Sequence, residues 1–259
     1  MTWRACGFMG GLVFAAAAGA ADQDWAGDHW GTFVAHSAAT TRLVTSPDFV
    51  PPGYDLAAGS FFASTSVAAV AAVGRGSVSP SANSVGLTWG RNWQVGRRVS
   101  GVELDLGRVN LGAARSGSGL YPGFGAFGFD VTQAVSTDWV ATARGRIGHA
   151  FNRSLVYATA GVVLARLRVD AQFVDNSENA RASTSLSKSQ WGWAVGVGCE
   201  YALNGGWSAK AEVLHFDLGR ASSTSNNMAS EFGSYAAHTF TTRARLRANQ
   251  WRLGLNKRW

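Results

Sequence analysis

Between Trp191 and Tyr201 the chain alternates residue by residue. Trp191, Trp193, Val195, Val197, Cys199 and Tyr201 fall on one face, and Gly192, Ala194, Gly196, Gly198 and Glu200 on the other. A period of two is a β-strand. The sizes on its two faces say what surrounds it. A soluble sandwich turns large apolar residues inward and polar residues to water. A water-facing surface so rich in glycine would weaken the strand with nothing gained. The pattern is satisfied when the bulky face meets lipid and the small face lines a cramped interior.

The same alternation recurs, giving eight expected strands near His29–His36, Asn83–Gln94, Val99–Gly107, Thr137–Ala150, Ser154–Asp170, Ser189–Leu203, Trp207–Leu218 and Thr239–Trp259. Short connections (Val95-Gly96-Arg97-Arg98, Phe151-Asn152-Arg153, Asn204-Gly205-Gly206) alternate with long ones over about 37–82, 108–136, 171–188 and 219–238. In a meander this puts every short turn at one end and every long loop at the other. Such a division marks an outer-membrane barrel with short periplasmic turns and long extracellular loops. The expected fold is therefore all-β: an eight-stranded antiparallel up-and-down transmembrane β-barrel. Apart from the shorter first segment, each strand reaches the roughly 9–11 residues needed to cross.

Composition agrees. The 259 residues include 32 glycines and 11 tryptophans, and charged residues make up only 15%. The formal charge is +7, and twenty of the 23 cations are arginine. The arginines are scattered through apolar strands and form no basic patch with a known motif, which argues against nucleic acid. Arginine is preferred for planar pairing with carboxylate or phosphate, so lumenal ion pairs and anionic lipid headgroups are the expected uses. The start of the chain reads as a signal peptide over 1–21: Arg4, an apolar stretch from Gly7 to Ala18, then the small residues Gly19-Ala20-Ala21. Beyond that leader Cys199 stands alone, so no disulfide is expected.

The small faces also carry Glu103, Asp105, Arg144, Arg146, Glu200, Lys210 and Glu212. Carboxylates two residues apart beside arginines on a neighbouring strand resemble an acid/base pair. Buried charge must be paired, however, and a structural lumenal network is the reading favoured here. Trp93, Trp139, Trp191, Trp207, Trp251 and Trp259 lie near strand ends, where an aromatic girdle belongs. The five histidines (29, 36, 149, 215, 238) show no metal-ligand spacing, and no nucleophile–base constellation or phosphate loop is evident. No catalytic residue, metal or cofactor is expected.

Several segments resemble the small eight-stranded, porin-like outer-membrane proteins of alphaproteobacteria, of the rhizobial and brucella type. They are Gly90-Arg91-Asn92-Trp93-Gln94 with Val102-Glu103-Leu104-Asp105, the run Trp139–Gly148, Leu155–Gly161, Gly192–Leu203, Trp207–Glu212 and Arg252-Leu253-Gly254-Leu255-Asn256. Arg91, His149, Val213 and His215 stand where that family commonly has tyrosine, and Trp259 where it ends in phenylalanine. The resemblance implies an outer-membrane location and recognition of Trp259 by the barrel-assembly machinery.

The favoured function is a non-enzymatic barrel with a filled lumen. It would support outer-membrane integrity and meet lipids and lipopolysaccharide through Arg243, Arg245 and Arg247. The long loops, with apolar Phe61-Phe62 and Val67–Val73, would either cap the barrel or contact a protein partner. A narrow channel for ions or small solutes is the alternative, and a lipid-modifying enzyme comes third.

Overall fold

The computed structural model describes residues 23–51, 53–231 and 233–259. The expected leader over 1–21 lies outside these residues. Eight long strands form the wall: β1 (Gly27–Pro47), β2 (Ser81–Val95), β3 (Arg98–Leu120), β4 (Gly128–Phe151), β5 (Ser154–Asp175), β6 (Arg181–Ala202), β7 (Trp207–Ser225) and β8 (Phe240–Arg258). Every neighbouring pair is antiparallel. The ring closes between first and last strands, in register from His29 opposite Arg258 to Pro47 opposite Phe240. No helix among the described residues is long and apolar enough to cross a membrane; the strands do the crossing.

The connections differ from the sequence expectation. Residues 108–136 and 171–188 are mostly wall, with turns reduced to 121–127 and 176–180, whereas only the first part of 219–238 is wall, up to Ser225, and a connection then leads to Phe240. β1 likewise runs on to Pro47. The cause is visible in β6. Above Trp191 its inward residues Ala182, Thr184 and Leu186 still alternate with outward Ser183, Ser185 and Ser187. Outside the bilayer the outward face needs no apolar residue, so the hydropathy signal stops while the strand continues. Strands of up to 24 residues are about twice what a bilayer requires, and the barrel stands well above the membrane. Among the described residues, only the first long connection carries an α-helix, α1 (Ser64–Val73).

Exposed apolar residues belt the lower half: Val34, Val85, Leu87, Leu104, Leu106, Ile147, Val162, Val195, Val197, Leu253 and Leu255. Trp93, Trp191, Trp207, Trp251 and Trp259 of the expected girdle are exposed there, as are Trp30, Trp89 and Trp193. Trp139 is only partly exposed and sits where the β3–β4 and β4–β5 registers shift.

The inward glycines make room. A Cβ on Gly198 would sit 2.5 Å from the Tyr157 ring, and one on Gly86 would sit 2.3 Å from Phe33. At Gly161 the neighbouring backbone itself is in the way: a Cβ would lie 2.1 Å from the Ala143 carbonyl oxygen. Gly161→Val is therefore expected to block closure of the β4–β5 pair. Parent protein should migrate faster unboiled than boiled on a detergent gel, and the variant should give only the slow, boiled-type band.

Candidate functional site

The interior is stacked in layers. At the short-turn end Trp25, 1% exposed, packs with Val99, Ala150, Leu155, Tyr157 and Ala202. Its backbone N–H donates to Gln94 Oε1 (2.7 Å), and Asn92 Nδ2 donates to its carbonyl oxygen (3.1 Å). This anchored ring closes that end of the lumen.

Above it lies the charge network. β3 supplies Glu103 and Asp105, β4 Arg144 and Arg146, β6 Glu200, β7 Lys210 and Glu212, and β8 Arg252. Alternation points all eight inward, and all are buried. Arg144 is the hub. Its Nη2 lies 2.6 Å from Glu103 and 2.8 Å from Asp105, and its Nη1 lies 2.9 Å from Glu212. Arg146 Nη1 reaches Glu200 at 2.6 Å and Glu103 at 3.3 Å. Lys210 Nζ meets Glu103 at 2.5 Å, and Arg252 Nη1 meets Asp105 at 2.9 Å. Neutral donors complete the shell: Tyr157 Oη to Glu212 (3.1 Å), Thr142 Oγ1 to Asp105 (2.5 Å) and Ser208 Oγ to Glu200 (3.1 Å).

Four carboxylates face four basic side chains, so the formal charges of the cluster balance. The seven charged residues singled out by sequence thus meet in one cluster, and Arg252 joins them. That arginine was missing from the sequence reading, although the signal was present: Trp251 and Leu253 face outward, which turns residue 252 inward. Without it the set carries one carboxylate too many. Arg252 also lies over the Phe33 ring, 4.3 Å from its centroid.

Higher up comes an apolar layer including Leu43, Leu111, Val135, Leu167, Leu214 and Leu246. A polar step follows: Gln133 Nε2 donates to Thr45 Oγ1 (2.7 Å) and to the Gly74 carbonyl oxygen (2.9 Å). Arg115 Nη1 donates to the Val73 carbonyl oxygen (3.1 Å). These donors satisfy carbonyls left open where α1 ends. The mouth is covered by an aromatic cluster of Phe61, Phe62, Tyr121, Phe129, Phe173, Tyr235 and Phe240 with Val70 of α1. Phe61 and Phe62, in the stretch open to either a capping or a contact role, are buried in this cap.

His238 is fully buried in the cap. The Phe61 N–H donates to its Nε2 (2.8 Å), Phe62 packs on its ring, and Nδ1 lies 3.8 Å from Asp48. Burial pulls its pKa below the ordinary histidine value despite Asp48. The other histidines are dispersed. His29 is in the lumen, His36 and His215 are near the outward rim against Trp251 and Trp193, and His149 is beside Phe151 at the short-turn end. Among the described residues no group of three or more His, Cys, Asp or Glu side chains has the placement to hold a metal ion.

The closed wall, apolar belt, aromatic rims and charged lumen define an integral outer-membrane β-barrel. Residues 56–256 match the family of the outer membrane protein beta-barrel domain, and the chain belongs to that family. It is 34% identical over 137 residues to the 31 kDa outer-membrane immunogenic protein of Brucella melitensis, covering 52% of this chain and 53% of that protein. It is 30% identical over 128 residues to the 22 kDa outer membrane protein of Rhizobium leguminosarum bv. viciae, covering 49% of each. The chain thus spans about half the length of the curated relatives it matches. Among solved structures it is similar to Neisserial surface protein A (TM-score 0.33, 10% identity, 88% of this chain and 97% of that one). It is also similar to the attachment invasion locus protein of Yersinia pestis (0.30, 12%, 91% and 100%) and to the outer membrane protease OmpT of Escherichia coli (0.43, 8%, 90% and 97%). These superpositions are loose.

Two outcomes follow from the layers. Arg144→Met leaves three buried carboxylates short of a partner, which should cost about 3–5 kcal/mol. Urea unfolding in lipid–detergent should show it, and adding Glu212→Gln should restore part of the loss. In the cap, histidine is held neutral when closed. As pH falls through its ordinary value of about 6.5, the open form takes the proton first, so closure weakens on acidification. Limited proteolysis should cut the cap faster below that pH, and His238→Gln should flatten the dependence.

Proposed function

We propose that this protein is a non-enzymatic structural barrel of the outer membrane. It ties the outer leaflet together and presents a rigid cap outside the cell. The observation that carries this reading is the filled interior: Trp25, the charge network, the apolar layer and the aromatic cap follow one another along the axis. Eight strands leave an interior only wide enough for side chains. A channel would require a continuous polar path, and the apolar layer between network and cap interrupts one. The network carboxylates are each engaged by cations rather than poised beside a nucleophile, which favours support over acid/base chemistry.

Above the apolar belt the outer wall carries a collar of exposed cations: Arg42, Arg108, Arg166, Arg168, Lys188, Arg220, Arg243 and Arg247. A cation held near an anionic membrane surface gains about 1 kcal/mol. The collar supports contact with lipopolysaccharide around the barrel. Contact with a protein partner would fall to the exposed Phe49, Tyr54, Leu120 and Phe127 at the outer end. Trp259 follows the end of β8 with an exposed ring, and its N–H donates to the Asp28 carbonyl oxygen (3.3 Å). This supports recognition of the terminal aromatic by the assembly machinery. Trp259→Ala should lower the amount of heat-modifiable barrel in outer membranes, with less effect on refolding of purified chain.

Planar-bilayer recording tests the main reading. The purified barrel should give no steady conductance across the voltage range it survives. Regular, uniform openings would overturn the filled-lumen assignment in favour of a narrow channel.

A further inference from the structure

One sector of the collar differs from the rest. Arg42 of β1 lies directly opposite Arg245 of β8, and Arg245 lies directly opposite Arg220 of β7. Three guanidinium side chains therefore stand in one row across three adjacent strands. All three point outward, because the intervening Leu43, Ala244, Leu246 and Ala221 are in the apolar interior. Arg243 and Arg247 flank the row along β8. Like charges directly opposite one another destabilise a sheet, so such a row calls for a counter-charge.

The protein supplies one, and it is fully used. Between Arg245 and Arg247 the β7–β8 register slips, and Gly219 takes up the extra length at φ 68°. This bulge leaves Asp217 beside both arginines. Its Oδ2 accepts from Arg245 Nη2 (2.8 Å) and Arg247 Nε (2.9 Å), and its Oδ1 from the Gly219 N–H (2.8 Å). Arg245 Nε stays buried with no hydrogen-bond partner. Arg42, Arg220 and Arg243 are exposed, and no ion pair forms to them among the described residues. Five arginines thus share one aspartate. Beside them a cleft of about 290 Å³ opens over the small side chains Ala38, Thr40 and Ala248, walled by Arg42, His215, Arg245 and Arg247.

The height of the cleft selects the ligand. Trp251, whose ring lies 6.3 Å from that of His36, marks the upper rim of the belt. Arg247 and Arg243 stand four and eight residues above it, roughly 13 and 26 Å along the strand. Directly below, the same strands expose Val34, Val213, Trp251 and Leu253 to lipid. A ligand filling both regions has phosphates above and acyl chains below. Guanidinium groups in fixed positions pair phosphate bidentately.

We propose that this sector is a discrete binding site for the phosphates of an outer-leaflet, lipid A-type glycolipid. Arg42, Arg220 and Arg243 take the phosphate oxygens, and Asp217 positions Arg245 and Arg247. The inference rests on the collar reading above and narrows it to one place and one ligand chemistry.

The test uses the intact barrel in detergent, titrated with bis-phosphorylated lipid A and followed by native mass spectrometry. Arg42→Gln with Arg220→Gln is compared with Arg166→Gln plus Arg168→Gln, which removes the same charge from the exposed face of β5. Heat-modifiable migration is required of both. The first pair should weaken binding about tenfold or more, as expected for two membrane-surface cations, and the second should leave it near the parent value. Dephosphorylated lipid A should bind the parent as weakly as lipid A binds the first variant, and inorganic phosphate should not compete. Equal losses in both variants would overturn the discrete site and leave only a diffuse collar. Full competition by inorganic phosphate, or undiminished binding of dephosphorylated lipid, would overturn the lipid-phosphate assignment. None of these results depends on whether the lumen conducts.

Discussion

Hydrocarbon offers no hydrogen bonds, so every backbone group that crosses it needs a partner inside the protein. The pairing of β1 with β8 meets that demand for the last two open edges. Once the ring is closed with eight strands, its bore is too narrow for water-filled space. The inward residues must then be small, or large and mutually satisfied. Glycine at positions 86, 161 and 198 answers the first need, and the eight-residue charge network answers the second.

Charges so deeply buried are costly unless each finds a partner. Here four acids and four bases are divided among β3, β4, β6, β7 and β8, and Arg144 and Arg146 each reach acids from two strands. The network therefore fixes the relative register of strands distant in sequence. It favours this closure over a slipped one, because a shift of one residue would turn its charges into lipid. The same compactness fills the lumen at the level of the network with paired side chains.

The extramembrane half of the wall follows another logic. Its outward face is polar and small, its inward face still apolar, and its mouth is sealed by α1 and an aromatic cluster tied down by Gln133, Arg115 and His238. A rigid wall standing this far above the bilayer can hold cations at defined heights, which a flexible loop cannot. The bulge at Gly219 shows how a local irregularity is used in that setting: it brings Asp217 to two arginines and leaves the others facing outward.

The sequence by itself determined the strand count, the up-and-down order, the lipid-facing side and the parity of every lumenal charge. Period-two alternation is a local property, and hydrocarbon imposes it without reference to distant residues. Only the tertiary structure decided how those charges divide into pairs, that Arg252 completes their balance, that Trp25 closes one end, and that the second and third expected loops are mostly wall. Pairing depends on which strands lie across the bore from one another. Strands in water lose the apolar outward face that makes them legible. The arginine row had the same origin: Arg42, Arg220 and Arg245 are far apart in the chain, and only barrel closure and one register slip set them side by side.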